Sequence, residues 1–206
     1  MSRAIKKKAK DGTIEVEDIL RVAKSPSEEK AELLRGLTTK YRWQHAPCFP
    51  KVPLATWAEV VSIYCHEGFE GLVELAKNSE KYPFVLGLLE EIPSDQALAA
   101  TLEIGKVHIG EPAKDLESSF RLASTINLLG LKKIRPQHEE RIRNFLHRLL
   151  SMSIEDHKCG SVMLTLRWYG DEKSIEIIRR VPEMSADWEH MRRHAIRSIK
   201  RRQKSG

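Results

Sequence analysis

Three cysteines in 206 residues, Cys48, Cys65 and Cys159, are too few, too far apart and odd in number for a disulfide framework. Reduced thiols are the expected state. Long apolar runs are also missing: stretches such as Phe84 to Leu89 fall far short of the roughly 20 residues that cross a bilayer. Residues 1–10 run into Asp11-Gly12 without an apolar core of the secretory type, so a cytoplasmic protein with no membrane partner is expected. Runs of alternating polarity rich in Val, Ile and Thr are absent, which argues against strands. No Gly-x-Ser-x-Gly elbow, Walker loop or His-Glu-x-x-His pattern occurs. Nothing therefore points to catalysis, a metal or a cofactor.

What the sequence does hold is charge and helical periodicity. Charged residues make up 31% and hydrophobic residues 41%, as in a globular protein with much helical surface. The net charge of +6 is unevenly spread: residues 1–10 carry five basic groups and residues 192–206 carry seven, with no acid in either segment. Residues 11–191 then hold 23 basic and 29 acidic groups, a formal charge of −6. Apolar residues recurring at three and four predict an all-α fold, with helices over about 14–24, 27–38, 54–66, 69–78, 82–91, 95–106, 115–129, 137–150, 155–169, 172–180 and 186–203. Ser25-Pro26-Ser27, Pro53, Pro93-Ser94-Asp95, Gly110-Glu111-Pro112 and Arg135-Pro136 mark the breaks. The length suits one domain over 11–206, preceded by a basic tail over 1–10.

The C-terminal third carries a resemblance. The stretch from Ser161 to Ile178, with Trp168-Tyr169-Gly170-Asp171 between two helices, resembles the HEAT-like repeats of the phycobilin-lyase type. The order Asp187, Trp188, Met191, Arg192, Arg193, Ala195, Ile196 and Ile199 is similar to the first helix of a following repeat. The likeness is clearest over 155–203, leaves an echo in Gly68 to Val73 and Pro93-Ser94-Asp95, and does not reach the first 50 residues. It implies a short α-solenoid of stacked helical hairpins, with a weak period of roughly 35 to 40 residues. Physical chemistry gives each position a role, with Gly170 supplying a left-handed helix-ending turn, Asp171 a cap, Ile175 and Ile178 inward-facing packing, and Ala195 close helix approach.

Candidate binding residues fall into two groups. Trp43 lies with Tyr41 and His45 beside the loop holding Pro47, Pro50 and Pro53, and this aromatic cluster is the expected contact for a protein partner. Trp57, Trp168 and Trp188 each continue an apolar stripe and are expected in packed faces. On the last helix, Arg193, Arg197, Lys200, Arg201 and Lys204 form a basic stripe opposite the apolar one, suited to nucleic acid or an acidic partner. His66-Glu67 and His138-Glu139 resemble the metal-binding pairs of deoxyhypusine hydroxylase, but that family sets its pairs directly after the repeat Arg, whereas His194-Ala195 follows here. His45, Cys48, Cys65 and His66 lack usual zinc spacing. The first expectation is a protein-binding scaffold, an adaptor or inhibitor such as a toxin-neutralising immunity protein. The alternative is a nucleic-acid-binding protein similar to the HEAT-like alkylpurine DNA glycosylases.

Overall fold

The structure, a computed structural model, describes residues 2–11, 13–41, 54–133, 139–152, 156–182 and 185–204. The regular elements among those residues are all helices, with no strand. The helices are α1 (Ser2–Lys10), α2 (Val16–Ala23), α3 (Glu28–Tyr41), α4 (Leu54–Leu75), α5 (Tyr82–Glu91), α6 (Asp95–Ile104), α7 (Lys106–Gly110), α8 (Leu116–Leu131), α9 (Glu139–Ser151), α10 (Asp156–Tyr169), α11 (Glu172–Arg180) and α12 (Ala186–Lys204). A 3₁₀ turn at Pro112–Lys114 leads into α8. Local chemistry sets the starts. Ser94 Oγ accepts from the Ala97 amide at 3.0 Å, Asp115 from that of Ser118 at 3.1 Å and Asp171 from that of Ser174 at 2.9 Å, each satisfying an orphan donor of a first turn.

The chain divides into two compact units, Met1–Ile92 and Pro93–Gly206. In the first, α4 packs on α2, α3 and α5, and Ser62 Oγ donates to the Ala31 carbonyl of α3 at 3.0 Å. Ile19, Val22, Leu34, Val61, Leu72 and Leu86 fill this core. The segment expected as a basic tail is helix α1. It rests on α3, buries Ile5, and its Lys8 ammonium lies 2.7 Å from the buried Asp18 carboxylate, which also accepts from the Glu15 amide at 3.2 Å.

In the second unit, helices two apart in sequence pack together: α6 on α8, α8 on α10, α10 on α12, and likewise α7 on α9 and α9 on α11. Leu122, Ile126, Phe145, Leu146, Leu166 and Ile178 are fully buried between them. Asp171 caps α11 as expected, Ile175 and Ile178 face inward, and Ala195 is buried. Gly170 differs from expectation. Among the described residues the glycine with positive φ is Gly68, at 69°. Gly170 is required for space, because a Cβ there would lie 2.6 Å from the Leu166 carbonyl oxygen and 2.8 Å from Ile199 Cδ1.

Candidate anion-binding face

Helix α12 has one face fixed by packing and one left outward. Ala195 and Ile199 are buried in its contact with α10, and the Trp188 ring lies so close to Gly160 that a Cβ there would meet it at 2.2 Å. Two of its cations belong to this packing. Arg192 donates to the carbonyls of Val181, at 2.8 Å, and Pro182, while Arg202 donates to those of Gly170 and Arg167, the latter at 3.3 Å, satisfying carbonyls at the end of α10.

The five stripe residues, Arg193, Arg197, Lys200, Arg201 and Lys204, are all exposed on the side away from α10. At 3.6 residues per turn, His190 and His194 fall on the same side, so every residue of that face from 190 onward is His, Lys or Arg. The acids of α12 are confined to Asp187 and Glu189 in its first turn. A shallow cavity of about 450 Å³ runs beside the face, lined by His190, Arg193, Ile196 and Arg197.

A further cation comes from α10. The Arg167 guanidinium lies 4.3 Å from the Trp168 ring centroid, a cation–π contact, and its Nε is buried without a hydrogen-bond partner. Trp168 is itself held, with Nε1 donating to Asn127 Oδ1 at 3.1 Å and its ring against Gly130. Burial lowers the Arg167 pKa. His194, whose Nδ1 is also buried and unpartnered, is pushed below its ordinary value first by burial and then by Arg167, Arg197, His190 and Arg201. Sequence reasoning missed Arg167, His190 and His194. The histidines could have been found by extending the stripe one turn back, whereas Arg167 is brought alongside only by the packing of α10 on α12.

Charge also divides by unit. Residues 1–92 hold 14 basic and 14 acidic groups; residues 93–206 hold 21 basic and 15 acidic, so the whole net charge of +6 belongs to the unit that carries α12.

The other candidates lie on other elements or outside the described residues. Trp43 and His45 lie outside the described residues, and Tyr41 is the last residue of α3. Trp57 packs edge-on against Phe84 of α5, its ring centroid 5.5 Å away. His66 is exposed, while His138 and Cys48 lie outside the described residues. Cys65 is buried, which raises its thiol pKa and disfavours thiolate. Among the described residues, no three His, Cys, Asp or Glu side chains gather as a metal site.

One cluster contains the residue types of a hydrolase triad in the wrong order. His147 Nε2 lies 2.7 Å from Ser174 Oγ, but the carboxylate of Asp171 engages the serine, at 2.9 Å, and not the histidine. Ser174 and Asp171 form the capping box of α11, with Asp171 also paired to Arg143 at 2.9 Å. An orienting carboxylate must act on the histidine of a triad, so this arrangement is a helix cap. No protein family, curated protein or solved structure matches the chain.

Proposed function

We propose that this protein is a binding module, a short HEAT-like stack of helical hairpins, that takes the phosphate backbone of a nucleic acid along the outer face of α12. The observation that carries the reading is the unbroken basic face, His190 to Lys204, with Arg167 beside it from a second helix. A terminal helix that only solubilised the fold would serve with charges of mixed sign. From Arg193 to Lys204 the face extends about 16 Å, enough to follow several phosphates. Ala195 and Ile199, in the apolar stripe of α12, are buried against α10, which favours nucleic acid over a membrane surface. The stacking part of the proposal draws on the two rows of helices, α6, α8, α10, α12 and α7, α9, α11. No helix among the described residues is long and apolar enough to cross a membrane, and a cytoplasmic setting with reduced thiols is part of the same proposal.

The test is binding of labelled single- and double-stranded DNA and RNA across a salt series. The intact chain is compared with one carrying Gln at Arg193, Arg197, Lys200, Arg201 and Lys204. Binding with a salt slope that falls by about one for each phosphate contact removed supports the reading. Absence of binding at low salt overturns it.

A protein-binding scaffold is the second reading, favoured by the acidic surplus of residues 11–92, with 14 acidic against 9 basic groups, and by exposed Glu70 and Glu74 one turn apart on α4. Its partner would be basic, as a cationic toxin is, with Tyr41, Trp43 and His45 as the proposed aromatic contact. Binding of a basic protein that survives the five Gln substitutions, with no nucleic-acid binding, would favour it.

A further inference from the structure

His194 sits where fixed cations oppose a proton and would attract an anion. Its ring is half-buried, its Nδ1 has no hydrogen-bond partner, and among the described residues the charges acting on it are positive: Arg167 from α10, and His190, Arg197 and Arg201 from α12. The other helix packed on α12, α11, contributes no charge to it. We infer that phosphate binding on the α12 face is coupled to uptake of one proton by His194, with Arg167 and the arginines of α12 supplying the fixed charge. This rests on the nucleic-acid reading above and adds its regulation.

The argument is linkage. In the free protein the surrounding cations and the buried setting keep the imidazole neutral near pH 7. A phosphate laid on Arg193, Arg197 and Arg201 brings negative charge within reach of the ring and offsets the cations that oppose its protonation. The proton comes from solvent and the imidazole becomes imidazolium, so the bound state holds one more proton than the free state. Affinity must then rise as pH falls through the range where only the complex is protonated. The exposed His66 of the other unit lacks this setting and serves as a control.

Two measurements test it on the full chain with a labelled DNA oligonucleotide at constant ionic strength. Affinity is compared at about pH 8 and about pH 6 for the natural chain, His194→Gln and His66→Gln. The expected result is a three- to tenfold gain, roughly, on acidification for the natural chain and for His66→Gln, and a flattened dependence for His194→Gln. In parallel, NMR follows the imidazole proton of His194 in the natural chain, so the test stands even if His194→Gln folds poorly. The midpoint should move up when oligonucleotide is added. Binding that is equally pH-dependent in His194→Gln, or a His194 midpoint unmoved by oligonucleotide, overturns the inference and leaves the nucleic-acid reading standing. No binding at either pH overturns both.

Discussion

Buried between α9 and α11, His147 is 9% exposed and its Nε2 is hydrogen-bonded to Ser174 Oγ, which also bonds the Asp171 carboxylate. Burial lowers its pKa, opposed by Asp171 and reinforced by Lys173 and Arg143. The folded chain therefore resists a proton that the unfolded chain accepts near its ordinary value of 6.5. Stability should be full above about pH 7 and fall as pH drops below that value, with His194 contributing the same sign. Asp171, lowered by its bonds to Ser174 and by Arg143 and His147 against the effect of burial, loses its contribution only in the more acidic range below 3.8. Urea midpoints at about pH 7.5 and about pH 5.5 check this: the loss on acidification should shrink in His147→Gln. An unchanged pH dependence in that variant would contradict the assignment. At this scale the sequence is readable where chemistry is local. Asp171 capping the next helix follows from four adjacent residues, but the need for Gly170 comes from the Leu166 carbonyl oxygen together with Ile199, a neighbour 29 positions away, and only the first of these is local in sequence.

At the scale of the element, α4 bends at Gly68, whose φ of 69° and ψ of −150° lie in a region that essentially only glycine occupies. Gly68→Ala should lower unfolding free energy by about 1–3 kcal/mol even though its Cβ would meet nothing within 4 Å. A denaturant curve superimposable on that of the natural chain would refute the strain argument. Periodicity places a break between 66 and 69, and a bend within one helix is its structural counterpart. Helix α1 is not legible in the sequence because five of its nine residues are basic and only Ile5 is a large apolar one; its order depends on Ile5 and on the Lys8–Asp18 pair, both tertiary contacts. On α12, Arg197 has cations at 193, 200 and 201, spacings at which like charges destabilise by about 0.2–0.5 kcal/mol per pair. Arg197→Gln should thus leave thermal stability unchanged or slightly raised while lowering the salt slope of DNA binding by about one. A clear fall in stability would mean that Arg197 serves the fold.

For the whole molecule, the useful description of charge is by unit. Dividing the sequence into ends and middle suggests an acidic body that would repel nucleic acid, because composition alone cannot assign residues 93–191 and 192–206 to one unit. Together they hold 21 basic and 15 acidic groups, and the stripe legible at 193–204 gains Arg167 only through folding. The all-α class follows from periodicity along the chain, whereas the basic face needs both the pairing of α10 with α12 and the withdrawal of Arg192 and Arg202 to backbone carbonyls.

The most direct measurement is lysine footprinting of the natural chain by limited acetylation and mass spectrometry, with and without DNA. The account predicts that DNA protects Lys200 and Lys204 several-fold, while the exposed Lys77 and Lys106 react equally in both samples. Protection of Lys77 or Lys106 with Lys200 and Lys204 left reactive would contradict the assignment of binding to α12.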